Sequence, residues 1–346
     1  MVSLRDLLGT ELPVIQAPMA GVQGGALAVA VSGAGALGSI PCALLDADAI
    51  RREVALVRGR TSAPFSMNFF CHQPPAYDAE REARWRAALA PYYAELGVAL
   101  DAATTGPTRT PFDAASAALV EELRPPIVSF HFGLPSPELL ARVKRAGALV
   151  LSTATTVDEA RWLDARGVDA IIAQGAEAGG HRGMFLSSDA SAQVGTFALV
   201  PQVVRAVQAP VIAAGGIASA DGVAAAMALG AAGAQVGTSY LCCPEATTSA
   251  LHRAALASDA ARETALTNLF TGRPARGIVN RLMRELGPMS PLAPEFPLAS
   301  AALAPLRATA EREGRSDFSP LWAGQNTTGC RDTPAAEITR ALASRL

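Results

Sequence analysis

Short apolar runs punctuated by Gly or Pro recur along the chain, and between most of them lie Ala/Leu/Arg segments whose apolar residues return at helical spacing. Eight runs predict strands: PVIQAP (13–18), GALGSI (35–40), PFSMNFF (64–70), IVSFHF (127–132), ALVLST (148–153), DAIIAQ (169–174), PVIAAG (210–215) and AQVGTS (234–239). Their continuous apolarity indicates strands covered on both faces, as in a parallel sheet wrapped by helices. Helix signals fall between them. Thr156 and Glu159 have capping-box spacing ahead of VDEARWLDARG, and Ser136-Pro137 opens ELLARVKRAG with proline at the first helical position. The two helices stop at Gly167 and Gly147. Eight such units predict an α/β fold, a TIM (β/α)8 barrel; an open doubly wound sheet produces a similar local pattern and is the alternative.

Two stretches break the rhythm. Residues 71–126 are too long for one tight crossover, with AEREARWRAALAPYYAEL reading as helix and GPTRTPF as loop. Residues 244–322 mix a helix, ATTSALHRAALAS, with the Pro-rich GPMSPLAPEFPL. The expected organisation is a barrel core over 1–243 with a long excursion at 71–126, a smaller, mainly helical lid subdomain over 244–322, and a segment 323–346 returning to the barrel, where PAAEITRALASRL would be the closing helix.

Composition narrows the function. Half of the 346 residues are apolar and 17% are charged, enough for a substantial core. A net charge of -2 leaves no basic footprint for nucleic acid. The five cysteines are odd in number and lack C-x-x-C spacing, which disfavours a disulfide framework or a zinc site. The start MVSLRDLLGTELP carries charges where a signal sequence needs apolar residues, and no long apolar span occurs, so a cytoplasmic protein with no membrane partner is expected.

Chemistry in such barrels sits at the carboxyl ends of the strands, here Met19, Pro41, Asn68, His131, Thr153, Gln174, Gly215 and Gly237. No Asp/Glu pair among them supports glycosidase chemistry, and no cluster of His and carboxylates is spaced for a metal. The single lysine, Lys144, falls inside a helix, against a Schiff base, and no P-loop motif occurs. These exclusions point to an organic cofactor. AAGGI (213–217) and QVGTS (235–239) end the seventh and eighth strands, where such barrels bind phosphate with main-chain N–H groups. Each motif alone reads equally as a conformational turn; together they indicate a phosphate site, with the dipole of a helix starting near Ser219 behind it.

In QGAEAGGHRG (174–183) four glycines let the backbone turn sharply, and His181 is expected to project from this loop as a proton acceptor or donor; the plainer reading is a turn-capping surface histidine. His131 shares a strand face with Ser129 and reads either as a pocket residue or as a hydrogen-bonded core histidine. His72 and His252 read as solvated or structural, and Glu177 and Arg182 as structural, paired with one another or flanking a ligand. Asn68 and Gln174 each offer a donor and an acceptor, which suits a heteroaromatic edge such as an isoalloxazine, or else ties adjacent loops together.

The motifs IQAPMAGV, FSMNFFCH, SFHFG, AQGAEAGGHRG, AAGGI, QVGTSYLCCPE, TGRPARG and LWAGQ, spread over nearly the whole chain, resemble the FMN-dependent nitronate monooxygenases of the bacterial class I type. The resemblance implies one noncovalent FMN and oxidation of alkyl nitronates, such as propionate 3-nitronate, by O2 to carbonyl compounds and nitrite. It places Asn68 and Gln174 on the flavin ring with Met19 lending backbone nearby. Gly179, Gly216, Gln235, Val236, Gly237 and Thr238 would hold flavin and phosphate, with Gly180 and Gly215 beside them, and His181 would be the catalytic base. PLASAALAPLRATA lacks the tyrosine and lysine that some relatives carry near the substrate mouth. The competing functions are an FMN-dependent NAD(P)H reductase, for quinones or enoyl-acyl carrier protein, and a non-redox phosphate-binding barrel enzyme. The chain is expected to act as a monomer or homodimer.

Overall fold

The computed structural model describes residues 3–100 and 109–346. In chain order the strands are β1 (Val14–Gln16), β2 (Gly38–Pro41), β3 (Phe65–Phe70), β4 (Ile127–His131), β5 (Leu149–Ala154), β6 (Ala170–Gln174), β7 (Gly180–His181), β8 (Val211–Ala214), β9 (Gly233–Val236), β10 (Thr264–Thr267) and β11 (Ala275–Ile278). The eight predicted strands all form, and they pair in parallel in the order β1-β9-β8-β6-β5-β4-β3-β2. A parallel bridge between Ile15 and Leu37 joins the two ends: Gln16 N–H donates to the Leu37 carbonyl at 2.9 Å and Leu37 N–H to the Val14 carbonyl at 3.0 Å. This closure makes a TIM barrel and removes the open sheet.

Side chains from successive strands fill the interior. Ile15, Leu37, Leu151, Ile172 and Ile212 pack with Leu4 and Leu8, so the short helix Leu4–Leu8 plugs the end where the strands begin. Outside the sheet, Val128 and Phe130 of β4 pack with Val54 and Val57 of the helix Ala47–Arg60 and Val143 of the helix Pro137–Arg145 in the main core. Fully burying a side chain of this size contributes about 1.5–3 kcal/mol, so the paired layers supply most of the driving force.

Ser136, Thr156 and Ser219 cap their helices as the sequence predicts. The capping box at Thr156 forms only in half. The Thr156 hydroxyl accepts from Glu159 N–H, but the buried Glu159 carboxylate takes the Thr155 N–H and hydroxyl, each at 2.7 Å, and the N–H groups of Phe185 and Leu186. Buried donors of a neighbouring loop outcompete the exposed end of its own helix.

A second core lies beside the barrel. Trp85, Leu89, Tyr92 and Tyr93 of the helix Ala79–Glu95 pack against Leu282 and Met283 of the helix Arg281–Leu286 and Leu303 and Leu306 of the helix Ala299–Arg312. The predicted helix in 71–126 therefore belongs with the segment 244–322. That second body also contains a β-hairpin that sequence analysis did not foresee: β10 pairs antiparallel with β11, and β11 with β7. Of the predicted loop GPTRTPF, positions 106–108 lie outside the described residues. The closing helix, Ala335–Leu342, packs its Ile338 and Leu342 with Leu27 and Val31 of the helix Gly25–Ser32.

Candidate active site

A cleft of about 1310 Å³, counted to its open edge, occupies the carboxyl end of the barrel. Met19, Asn68, His131, Gln174, Gly179, Gly180, His181, Gly215, Gly216, Gln235, Gly237 and Thr238 all line it. Val236 does not. Its side chain is buried on the opposite face of β9 with Val14 and Val223, because alternation along a strand sends residues 235 and 236 to opposite sides.

After β8 and β9 the chain borders the cleft with main-chain donors that could cradle an anion. Gly215 and Gly216 have φ of 118° and 70°, conformations that disfavour any side chain, and both border the cleft. Among the described residues the N–H groups of Gly179, Gly216, Ile217, Gly237 and Thr238 find no acceptor in the protein. Five such donors around one concavity suit a phosphate. Ser219 caps the helix Ala220–Ala228 behind them. A strap from the carboxyl-terminal segment holds the cradle in shape: Gly324 N–H donates to the Thr238 hydroxyl at 3.0 Å and the Asn326 amide to the Gly216 carbonyl at 3.0 Å.

The two amides divide their roles. Asn68 donates to Ser129 through Nδ2, at 2.9 Å to the hydroxyl, while its Oδ1 has no partner among the described residues and is free for a ligand. Gln174 instead ties loops together, donating to the His181 carbonyl at 3.0 Å and accepting from Gly183 N–H at 2.8 Å. The Gln235 amide lines the cleft with no protein partner among the described residues. Met19 cannot lend its N–H, which donates to Gln23 Oε1 at 3.1 Å. Taken together, a cradle of unpaired N–H groups, a free amide oxygen and a free amide fit a phosphorylated heteroaromatic cofactor such as flavin mononucleotide.

His181 is not on a loop but on β7, whose ladder to β11 sets it opposite Ala275. Its Nε2 lies 2.9 Å from the Thr271 hydroxyl, and Phe296 and Trp322 pack on its ring at centroid separations of 5.3 and 5.6 Å. Burial, followed by the positive charge of Arg109 and further groups including Arg273, pushes its pKa well below the usual histidine range, so the ring is neutral at neutral pH. His131 holds it from below. His131 Nε2 lies 3.1 Å from the His181 carbonyl and must donate to it, which leaves Nδ1 to accept from the Thr153 hydroxyl at 3.1 Å. Burial drives His131 down to about 3. His131 is thus both things the sequence allowed, a cleft residue and a hydrogen-bonded core histidine.

Arg182, fully buried, donates to the Gly175 carbonyl at 2.6 Å, the Gln174 carbonyl at 2.7 Å and Gln193 at 3.0 Å, while Glu177 accepts from Thr196. The structural roles hold, but the two do not bond one another. His72 and His252 are buried rather than solvated, and His252 borders the cleft. Thr271 and Trp322 lie inside TGRPARG and LWAGQ and Arg109 inside GPTRTPF, but neither they nor Asn326 had an individual role assigned from the sequence. No described helix is long and apolar enough to cross a membrane, and no described group of three or more His, Cys, Asp or Glu could hold a metal ion.

A closed parallel barrel with an anion cradle after its last two strands and a neutral imidazole facing the same cleft defines a (β/α)8-barrel enzyme acting on a small molecule. Residues 2–344 match the nitronate monooxygenase family, and the chain belongs to it. It is 43% identical to the nitronate monooxygenase of Paraburkholderia phytofirmans over 348 residues, covering 99% of this chain and 94% of that one. To the nitronate monooxygenase of Pseudomonas aeruginosa it is 42% identical, covering 98% and 97%. Nitroalkane oxidase from Streptomyces ansochromogenes superposes with a TM-score of 0.90 at 41% identity over 100% of this chain and 98% of that one. FabK from Thermotoga maritima gives 0.74 at 26% identity, covering 100% and 96%.

Proposed function

We propose that the protein oxidises alkyl nitronates with O2 to carbonyl compounds and nitrite, using noncovalent flavin mononucleotide. The observation that carries this reading is the pairing of His181 with the anion cradle across one cleft, in a chain of this family. The N–H groups of Gly179, Gly216, Ile217, Gly237 and Thr238 would hold the phosphate, and Asn68 and Gln235 the ring. Flavin held there would supply the redox chemistry of nitronate oxidation by O2. His181 acts on neutral nitroalkanes: its unprotonated ring nitrogen takes the carbon-bound proton, and the electron pair left behind makes the nitronate anion. Gln174 and His131 orient it through its carbonyl, and Phe296 and Trp322 exclude water from its faces.

The test is to purify the protein, identify its chromophore by mass, and follow nitrite release and oxygen uptake with a nitronate. A flavin-loaded protein that releases nitrite supports the reading. Rapid anaerobic bleaching by NADH with no nitrite release would replace it with a reductase, and a colourless protein that cannot be loaded with flavin would end it.

A further inference from the structure

Arg109 follows the long excursion helix in sequence and ends up against the cleft. Among the described residues that line the cleft none is Asp, Glu or Lys, and Arg109 is the one with a fixed charge. Its Nη1 is buried without a hydrogen-bond partner among the described residues. The guanidinium packs over Phe296, 5.3 Å from the ring centroid, and the same ring lies 5.3 Å from that of His181, so cation and imidazole share one aromatic neighbour. Burial lowers the guanidinium to about 10, which leaves it a cation at neutral pH.

An unsatisfied buried donor is costly, and a charged one more so. Other cations near the site have each found at least one acceptor, although Arg273 Nε is also buried without a partner among the described residues. Arg182 takes two carbonyls and Gln193, Arg276 the Ala176 carbonyl at 2.9 Å, and Arg273 the Met184 carbonyl while stacking 4.0 Å over Phe132. Arg109 lines the same cleft as His181. A guanidinium fork matches a planar anion with two oxygens.

We propose that Arg109 is the anion-recognition residue of this site, its guanidinium receiving the two oxygens of the ionised nitronate group beside His181. The inference rests on the nitronate-oxidising reading above and names the contact that selects the charged substrate. A nitronate brings its charge into the ground state, so Arg109 acts on binding. A neutral nitroalkane acquires charge only as His181 removes its proton, so there Arg109 acts on the transition state.

Flavin-loaded wild type, Arg109→Gln and Arg109→Lys are compared with propyl-1-nitronate and 1-nitropropane, and titrated with nitrate, an unreactive planar oxyanion, by calorimetry. Charge-assisted hydrogen bonds are worth about 1.5–3 kcal/mol, roughly 10- to 100-fold. Arg109→Gln is expected to raise KM for the nitronate, and Kd for nitrate, by that factor. With 1-nitropropane the loss should fall in kcat. Arg109→Lys should restore part of both, since it keeps the charge and loses the fork. An unchanged nitronate KM, or equal losses in the same parameter on both substrates, would overturn the assignment. If wild type itself releases no nitrite from the nitronate, the functional reading fails; nitrate binding weakened in Arg109→Gln would still show that Arg109 holds an anion, and unchanged nitrate binding would overturn it as well.

Discussion

The carbonyl of His181 accepts two hydrogen bonds, from His131 at 3.1 Å and from Gln174 at 3.0 Å, and either donor alone keeps it satisfied. This redundancy predicts a non-additive pair of substitutions. Gln174→Met keeps the side chain's length but removes two bonds and orphans the Gly183 N–H. At about 1 kcal/mol per bond and about 1–3 for the orphan, the expected cost is about 3–5 kcal/mol. His131→Phe keeps a ring among Phe70 and Phe132 but removes the second donor and the partner of Thr153, for about 2–4 kcal/mol. Together they strip the carbonyl bare. The double variant should therefore be less stable than the sum of the two by about 1–3 kcal/mol, the penalty of one buried unpaired carbonyl. Urea unfolding of the four proteins, followed by tryptophan fluorescence, gives the cycle. Additivity within about 0.5 kcal/mol would refute the shared-acceptor argument.

Other consequences are open to measurement. His181→Asn should lower turnover of neutral nitroalkanes by about 10²–10⁴-fold, the usual contribution of a positioned base, with flavin still bound; retained turnover would remove the base assignment. Gly237→Val should weaken flavin retention on dialysis, because a Cβ there would sit 3.3 Å from Ala17 Cβ and 3.6 Å from Met19 Sδ, crowding the cleft floor; unchanged flavin content would contradict it. Acid should destabilise the fold. Burial lowers His131 to about 3 and both His72 and His252 to about 4, so the unfolded chain binds more protons below about 6.5 and stability is lost as pH falls from there towards 4. A urea midpoint that stays flat between those limits would count against these buried neutral rings.

The barrel strands were legible because each lies between two apolar layers and so is apolar along its length, whereas closure rests on Ile15 meeting Leu37, a contact no local pattern announces. Gly215 and Gly216 were legible as turn positions, since they hold backbone angles that other residues avoid. The Val236 side chain faces away from the cleft, as strand alternation that places Gln235 inward requires. The setting of His181 was out of reach. A two-residue strand has no periodicity, and its partners Ala275 and Thr271 lie about ninety positions further along. Arg109 was invisible for a related reason: nothing around it in sequence marks a loop arginine as buried and unpaired.

The hairpin β10–β11 reaches across to the barrel and stitches itself to β7, with Arg182 N–H donating to the Pro274 carbonyl at 2.8 Å and Arg276 to the Ala176 carbonyl. Swinging that outer body aside would tear the ladder that seats the His181 imidazole. It is therefore a fixed partition and not a door, and fuel and oxygen must come and go by gaps elsewhere in the rim. Trimming residues 264–278 to obtain a minimal barrel would leave a vessel whose working part had lost its mounting.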